Sequence, residues 1–471
     1  MDLTRPFFSG IAGTGMSALA QFLAFQGSAV AGSDRSLDRG AEAGKRAYFE
    51  RIGIRLVPQD GKGPEGSTCL VVSTAIEESN PEVRQARALG LPVVHRSDLL
   101  AELARRGKTI AVSGTSGKST VTGMVWHVLQ AGGLEPSLIT GANLNSLMAE
   151  GLLGNAKAGA GEWLCIEADE SDGSLVKYAP EIALILNVER DHKEIEELVP
   201  LFRRFRDQTS RRVILNADDA HCRDLRRPQD GVFGRAETAA GPAEAVRFGD
   251  WETAFTVGGT EFLLNVPGRH NLANAMAALA VGLELGMSLE ACSRGLRAYR
   301  GVERRHVRVG EAGGVTVVDD FAHNPAKVQA CLETVKSAAE GGSRRILAIF
   351  HPHGFAPMKL MGKDLMRGAA EALDENDRLF LPEIFYAGGT ADQSISSADL
   401  AREANALKPG AHGSFAHFLP AKDEVIAAVA AEARPGDWVV SMGARDPSLG
   451  DFALRLFEAV KRALAPKQAG A

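Results

Sequence analysis

Seven consecutive residues have the types and spacing of a phosphate-binding loop: Gly114-Thr115-Ser116-Gly117-Lys118-Ser119-Thr120. An apolar run at 109–113 precedes them and suits a buried parallel strand, and apolar residues at helical spacing follow at 121–129. Between a strand and a helix, the loop amides and the positive helix end can cradle phosphate oxygens. Lys118 can then reach the terminal phosphates, and a hydroxyl of Ser119 or Thr120 can ligate Mg²⁺. Because Val112 replaces the first glycine of the strict G-x-x-x-x-G-K-[ST] pattern, a tight glycine turn with a solvated lysine is the alternative.

A dense group of acids ends the next predicted strand, which starts at Leu164: Glu167, Asp169, Glu170 and Asp172. Like charges this close repel one another unless a cation or solvent separates them, so Mg²⁺ is a natural partner. His192 stands just beyond the following predicted strand, 182–187, where it could complete a metal shell with Glu167. A solvated acidic loop and a structural histidine are the alternatives.

Two asparagines, Asn271 and Asn274, stand at the start of an alanine-rich segment that continues through Leu285. Residues at this spacing share one face of a helix, so both amides can meet the edge of a base near the helix start. Capping of the helix by Asn271 is a compatible alternative.

The N-terminal region has its own glycine turn, with Gly10, Gly13 and Gly15 before a predicted helix, and a second strand that ends at Asp34. In a dinucleotide-type fold, such glycines admit a diphosphate and an acid after the second strand meets a ribose or base. Because the spacing is not G-x-G-x-x-G, an ordinary NAD site is not supported, and a glycine turn without a ligand is the alternative. A further strand runs into a polar turn with Ser73 and Thr74, at the edge where α/β folds bind ligands.

Short apolar strands that end in polar or glycine turns continue to the C-terminus, at 314–320, 345–350, 378–381 and 437–444. The pattern predicts an α/β protein of three domains. These are an N-terminal Rossmann-like domain at 1–106, a central P-loop ATPase-type domain at 107–301 and a C-terminal Rossmann-like domain at 302–471. Residues 299–305 are expected to form the hinge into the third domain.

The composition of the chain indicates how many domains to expect, which partners to exclude and where the protein acts. The 471 residues, 45% of them hydrophobic, are too many for one ordinary core. A net charge of -6 and a pI near 6.1 give no reason to expect nucleic acid or a membrane surface as a partner. The five cysteines are far apart and suit reduced thiols, and neither a signal peptide nor a membrane span is indicated. We therefore expect a cytoplasmic enzyme with small-molecule substrates, as a monomer or weak homodimer.

Three α/β domains with G-T-x-G-K-S-T in the middle one resemble the Mur ligase family, the ATP-dependent amide-forming enzymes of peptidoglycan precursor synthesis. The supporting stretches span nearly the whole chain: 10–17, 32–34, 114–120, 167–172, 191–192, 267–274, 319–325 and 386–389. The alanine-adding branch of the family is the most similar. The resemblance implies that an amino acid, with L-alanine as the first candidate, is joined through an acyl phosphate to the lactoyl carboxylate of UDP-N-acetylmuramate.

The resemblance also implies residue roles, with ATP and Mg²⁺ as cofactors. Lys118 would contact the ATP phosphates, which Arg304 and Arg305 would also reach, and Asp320 would meet the ribose. Magnesium would be held by Ser119 and Glu167, with His192 on a second ion. His270, Asn271 and Asn274 would form the adenine site, and His323 would have a catalytic role. The UDP site would consist of Gly13, Thr14, Gly15, Met16, Asp34, Ser73 and Thr74.

The acceptor pocket departs from the alanine-adding pattern. That branch usually has arginines after the strand that here ends in Phe350-His351-Pro352-His353, whereas this chain continues with Gly354-Phe355-Ala356-Pro357-Met358-Lys359. His353 is assigned to the substrate site, and Arg445, where the branch usually has glycine, could supply the missing guanidinium. No lysine clearly matches the carbamylated lysine of other branches. The alternatives are a recycling ligase that attaches a tripeptide to UDP-N-acetylmuramate, and a nucleotide-sugar-binding homologue without turnover.

Overall fold

The computed structural model describes residues 1–40, 42–189, 194–235, 238–337, 344–386, 388, 392–409 and 414–465. The chain divides into two compact units. The first unit is Met1–Arg247, Ala254–Asn265 and His270–Val302, and the second is Phe248–Thr253, Val266–Arg269 and Glu303–Ala471. The prediction of an α/β protein is confirmed. No helix in the described part of the chain is both long and apolar enough to cross a bilayer.

A five-stranded parallel sheet opens the first unit, in the order β3-β2-β1-β4-β5. Its elements are β1 (Pro6–Ser9), α1 (Thr14–Phe25), β2 (Ala31–Ser33), α2 (Arg35–Asp38), α3 (Ala43–Arg51), β3 (Arg55–Leu56), β4 (Cys69–Val72), α4 (Pro81–Ala88), β5 (Val93–His95) and α5 (Arg96–Arg105). The strand order reverses between β1 and β4. In open α/β sheets this reversal makes a crevice at the carboxyl ends of the strands, where ligands bind.

A seven-stranded sheet follows, in the order β12-β11-β10-β6-β9-β7-β8, and its β7–β8 pair is antiparallel. Its elements are β6 (Lys108–Ser113), α6 (Lys118–Ala131), β7 (Ser137–Ile139), α7 (Asn145–Ala149), β8 (Ala156–Lys157), β9 (Trp163–Glu167), a 3₁₀ helix (Ser174–Lys177), β10 (Ile182–Ile185), α8 (Ile195–Gln208), β11 (Arg212–Asn216), α9 (Ala220–Leu225) and β12 (Gly231–Phe233). The central strand β6 lies between β10 and β9, so the phosphate-binding loop leaves the middle of the sheet.

Three strands and two helices complete this part of the chain: β13 (Glu244–Phe248), β14 (Thr253–Val257), β15 (Thr260–Leu264), α10 (Arg269–Glu284) and α11 (Leu289–Ala298). The three strands form a separate small sheet. Because α10 begins at Arg269, Asn271 is the third helical residue and lies in the first turn of the helix. Asn271 and Asn274 share one face of the helix, where the Asn274 side chain donates to that of Asn271.

The second unit is built on a six-stranded sheet in the order β16-β17-β21-β18-β19-β20, parallel except for β16. Its elements are β16 (Val307–Ala312), β17 (Val315–Asp320), α12 (Pro325–Ser337), β18 (Ile346–His351), α13 (Phe355–Ala372), β19 (Arg378–Leu381), α14 (Ser397–Leu407), β20 (Ala416–Phe418), α15 (Lys422–Glu432), β21 (Trp438–Gly443) and α16 (Leu449–Leu464). Successive residues of the central strands belong in turn to two separate hydrophobic clusters. Both faces of the sheet are therefore covered, which explains the nearly continuous apolar runs in its strands.

Candidate active site

The phosphate-binding loop joins β6 to α6 and wraps around the end of β10. Gly117 has a left-handed φ of +88°, and a Cβ placed there would lie 2.8 Å from Oδ1 of Asn274. A Cβ at Gly114 would lie 2.9 Å from Cβ of Leu186. The loop is held by Asn187, whose Oδ1 accepts from the amide of Ser116 at 2.8 Å. Both glycines are therefore required by close packing, which the sequence pattern alone could not distinguish from a free turn.

Lys118 folds back over this loop instead of extending into solvent. Its Nζ donates to the carbonyl of Gly114 and to Oε2 of Glu170, both at 2.8 Å, and lies 3.6 Å from Oδ1 of Asp169. Burial on its own would lower the pKa of Lys118, but the charges of Glu170, Asp169 and Glu167 outweigh it and raise the pKa above its usual value. The ammonium group is thus kept charged in a nearly buried place, as phosphate binding requires. The alternative of a solvated lysine is wrong.

Glu170 is a functional candidate whose individual role the sequence did not indicate. Only 4% of it is exposed, and burial raises the pKa of its carboxyl group although Lys118 opposes the increase. The sequence showed it as one member of an acidic run. The contact with Lys118, across 52 positions, could not be read from the spacing.

Glu167 ends β9 directly beside β6, with Val112 and Glu167 paired in parallel register. Its Oε2 accepts from Oγ1 of Thr140 at 3.0 Å and from the amide of Gly141 at 2.8 Å. Ser119, in the first turn of α6, is 3% exposed. An oriented carboxylate and a hydroxyl are hard oxygen donors of the kind that Mg²⁺ prefers, so these residues fit the ion. His192 lies outside the described residues.

The asparagines of α10 lie beside the loop. Nδ2 of Asn274 donates to Oδ1 of Asn271 at 3.2 Å, and Asn274 packs against Gly117. Asn271 is buried, whereas His270 is exposed. Two of the residues expected at the adenine site are thus brought to the start of α6, and His270 is next to them in the chain.

The expected UDP residues gather at the carboxyl ends of β1, β2 and β4, across the point where the strand order reverses. Oδ2 of Asp34 accepts from the amide of Ala12 at 3.0 Å, and its Oδ1 accepts from the amide of Ser36 at 2.8 Å. Asp34 therefore shapes the glycine turn and caps α2. Gly13 lies in the turn, and Thr14, Gly15 and Met16 begin α1. Ser73 and Thr74 directly follow β4.

Two cations flank the glycine turn, and the sequence reasoning missed both. Nζ of Lys45 donates to the carbonyl of Ala12 at 2.9 Å. A Cβ on Gly15 would lie 3.3 Å from Nη1 of Arg96, whose Nη2 pairs with Oδ2 of Asp172 at 2.9 Å. Arg96 directly follows β5, and that position at a strand end was the signal that could have identified it.

In the second unit, Arg304 and two acids lie at the end of β17. Nε of Arg304 donates to Oδ2 of Asp319 at 2.9 Å, and its Nη2 donates to the carbonyl of Gly443 at 3.1 Å. Asp320 accepts from the amides of His306 and Ala322, each at 2.7 Å, and burial raises its pKa to about 6. Arg305, the residue after Arg304 in the chain, is partly exposed.

Asp320 also lies within ligand distance of His306 and Cys331, with all three ligand atoms inside 4.8 Å of one another. Both oxygens of Asp320 already accept from backbone amides, and burial holds the pKa of the Cys331 thiol well above its usual value. We therefore interpret this group as packing that supports the end of β17 and not as a metal centre.

The histidines and Arg445 lie near the ends of neighbouring strands. The rings of His323 and His353 are 5.7 Å apart at their centroids, after β17 and β18. Arg445 follows β21, is exposed, and has a left-handed φ of +64°. Lys359, in the altered segment 354–359, pairs with Asp392. The second unit thus gathers these four expected residues along one edge of its sheet: His323, His353, Asp320 and Arg445.

Comparison with known proteins finds three family models along the chain. They are described as the Mur ligase family catalytic domain, at 8–108, the Mur ligase middle domain, at 112–282, and the Mur ligase glutamate ligase domain, at 304–445. The prediction of three α/β domains of this type is confirmed.

Individual relatives match from end to end. The UDP-N-acetylmuramate–L-alanine ligase of Streptomyces avermitilis is 38% identical over 460 residues, covering 94% of this chain and 95% of that one. The protein of the same name from Phenylobacterium zucineum is 34% identical, covering 95% and 94%. Among solved structures, the UDP-N-acetylmuramate–alanine ligase of Thermotoga maritima has a TM-score of 0.78 at 25% identity, covering 98% and 99% of the two chains.

Proposed function

The chain belongs to the Mur ligase family, and from this premise we propose that it joins L-alanine to UDP-N-acetylmuramate at the expense of ATP. One observation carries the proposal. Relatives of that activity are 33% to 38% identical to this chain along its whole length, and the chain retains the phosphate-binding loop.

The chemistry follows from charge. A carboxylate is a poor electrophile, so the lactoyl carboxylate is first phosphorylated by ATP, and the amine of the amino acid then displaces phosphate from the acyl phosphate. Both steps bring anionic oxygens together. The site therefore needs preorganised positive charge and hydrogen-bond donors more than a nucleophilic side chain.

The residues of the first unit suit the phosphoryl half of the reaction. Lys118 is held charged by Glu170 and Asp169, and a phosphate in the loop would compete with those acids for its ammonium group. Ser119 and Glu167 would hold Mg²⁺, which when bound neutralises phosphate charge as a Lewis acid. Asn271 and Asn274 would meet the adenine, and Lys45 and Arg96 would neutralise the diphosphate of the sugar nucleotide.

The roles proposed for residues of the second unit are those that the family resemblance implies. Arg304 and Arg305 would meet the ATP phosphates and Asp320 the ribose, while His323 and His353 would line the acyl and acceptor end. His192 remains a proposed ligand of a second Mg²⁺. The domain limits proposed from the sequence are 1–106, 107–301 and 302–471, and we propose a cytoplasmic monomer or weak homodimer.

Arg445 is the proposed partner of the amino acid's carboxylate. Its φ of +64° is a conformation that favours glycine and costs an arginine about 1 kcal/mol. An exposed arginine kept at such a position suits a role for its guanidinium. Replacing Arg445 by Gly should raise KM for the amino acid about tenfold without lowering the free energy of unfolding. An unchanged KM in Arg445→Ala would remove Arg445 from the site.

Phosphate release tests the proposed function directly. Purified protein with ATP, Mg²⁺ and UDP-N-acetylmuramate should release phosphate when L-alanine is added. A panel of other amino acids and the L-Ala-γ-D-Glu-meso-diaminopimelate tripeptide provides the comparison. Release with the tripeptide alone would assign a recycling ligase instead, and no release with any acceptor would indicate a binding protein.

A further inference from the structure

A buried carboxyl group lies beside the strand ends that precede the N-terminal glycine turn. Glu82, in the first turn of α4, is 0% exposed. Ser33, Ser9 and Gln59 face this carboxyl group, yet neither of its oxygens has a hydrogen bond of normal geometry within the described part of the chain. Nε2 of Gln59 lies 3.4 Å from the hydroxyl oxygens of both Ser9 and Ser33. We call Ser9, Ser33, Gln59 and Glu82 the Glu82 cluster.

The surroundings of Glu82 favour its uncharged form. Burial raises the pKa of the carboxyl group, the nearby Asp38 raises it further, and the polar side chains of the cluster only partly oppose this. A buried carboxylate without a cation would be costly, whereas a protonated carboxyl group can donate one hydrogen bond and accept another. A neutral carboxyl group is therefore suited to hold two serine hydroxyls at once.

The glycine turn leaves the sheet from one of these serines, Ser9, and hydrogen-bonds to the backbone of the other, Ser33. Ser9 and Ser33 are the last residues of β1 and β2 and are paired in the sheet register. The carbonyl of Ser33 accepts from the amides of Gly10 at 2.8 Å and Ile11 at 3.0 Å. The start of the turn is thus held by a residue pair whose side chains face the Glu82 carboxyl group.

We propose that Glu82 is a positioning residue for the UDP end of the substrate, acting through Ser9 and Ser33 on the turn at 10–15. Its carboxyl group is fully buried, so it touches no ligand itself. This inference rests on the proposed function, in which that turn receives the diphosphate of UDP-N-acetylmuramate. It adds to the sugar-nucleotide site a residue that acts from inside the fold.

Steady-state kinetics of two Glu82 variants test the proposal. Glu82→Ala should raise KM for UDP-N-acetylmuramate about tenfold and leave kcat and KM for ATP within about twofold. Glu82→Gln keeps the shape of the side chain and can both donate and accept hydrogen bonds without a charge, so its KM for the sugar nucleotide should stay within about threefold of the parent value. Asp230 is a matched control, since it is another buried carboxyl group of the first unit, 9% exposed and bonded to the amide of Arg227. Asp230→Ala should lower stability and leave that KM unchanged.

The outcomes separate positioning from general stability. A parallel rise of KM for ATP and for the sugar nucleotide in Glu82→Ala, or no rise in either, would overturn the proposal. If Glu82→Gln is as impaired as Glu82→Ala, the uncharged carboxyl group is not the active form and the proposal also fails. Should Glu82→Ala not fold, Glu82→Gln and Ser33→Ala carry the test, with the KM rise expected in Ser33→Ala alone.

Amide hydrogen exchange gives a readout without substrate. In free Glu82→Ala, the amides at 10–15 should exchange faster than in the parent protein, while those of α6 should not change. Equal exchange at 10–15 would contradict the positioning role. If the parent protein neither binds nor turns over UDP-N-acetylmuramate, the proposed function fails, and the exchange comparison still decides whether Glu82 orders the turn.

Discussion

Lys118 shows how a charge needed for phosphate binding is kept inside a protein. The lysine loses most of its hydration, and the neighbouring acids compensate by direct attraction. A buried ion pair of this kind is a weak source of stability, but removing one partner leaves an expensive unpaired charge. The pair is therefore better interpreted as a way of positioning the lysine than as a contribution to the fold.

The double variant Lys118→Met, Glu170→Gln separates these effects. Lys118→Met alone should abolish phosphate release and lower the free energy of unfolding by about 3 kcal/mol, because Glu170 is left buried without its cation. Adding Glu170→Gln should restore most of the stability and none of the activity. Urea unfolding and phosphate release measure the two quantities. Stability that stays low in the double variant would contradict the interpretation.

Arg96 is expected to serve the diphosphate of the sugar nucleotide. Arg96→Ala should raise KM for UDP-N-acetylmuramate about tenfold and leave KM for ATP nearly unchanged, since a charge-assisted hydrogen bond to the diphosphate is lost. Asp172→Asn removes the ion pair but keeps the cation, so it is the control for loss of the pair. If both variants raise KM equally, the ion pair and not the cation is what matters.

At the scale of elements, the site is assembled from strand ends. Glu167, Ser113 and Ile185 end the adjacent strands β9, β6 and β10. A polar or glycine residue stands within two positions of each strand end, at Asp169, Gly114 and Asn187. The sequence predicts such positions well, because an apolar run followed by a polar turn is a local pattern. It does not predict which helix closes over the loop, since α10 is contributed from more than 150 residues away.

Gly117→Ala tests the packing of α10 on the loop. The variant should lose phosphate release and stability, because its Cβ would lie 2.8 Å from Oδ1 of Asn274 at a φ of +88°. Gly133→Ala is the matched control, with a φ of +74° and no atom within 4 Å of the added Cβ. Both should lose about 1 kcal/mol from backbone strain. Equal losses of activity in the two variants would contradict a role for the Asn274 contact.

At the scale of the whole molecule, stability also depends on buried groups to which no role in the chemistry is assigned. His351 ends β18 inside the second unit, with its ring 4.5 Å from that of Phe452. Burial, with smaller effects of nearby charges, lowers its pKa to about 3. The unfolded chain binds a proton near pH 6.5, and the folded chain does not until about pH 3, so this contribution to stability is lost as the pH falls below about 6.5.

Urea unfolding at pH 7 and pH 5 measures this effect. His351 alone should reduce the free energy of unfolding by about 2 kcal/mol between the two pH values. In His351→Gln that part of the pH dependence should disappear, whatever the absolute stability of the variant. An equal loss in both proteins would show that His351 is not the group that titrates.

The sequence by itself determined the α/β class, the phosphate-binding loop and the family, because each depends on residue types within short stretches. The ends of two predicted strands, at Glu167 and Asp320, were also correctly placed, and the strand expected to end at Asp34 ends one residue earlier, at Ser33. Only the tertiary structure decided which side chains meet. It brings Glu170 to Lys118, and Lys45 and Arg96 to the glycine turn, from distant positions. It likewise brings Glu82 to the strand ends at Ser9 and Ser33. The physical reason is that a local pattern specifies an element and its exposed end, whereas contacts between ends depend on how the sheet orders its strands.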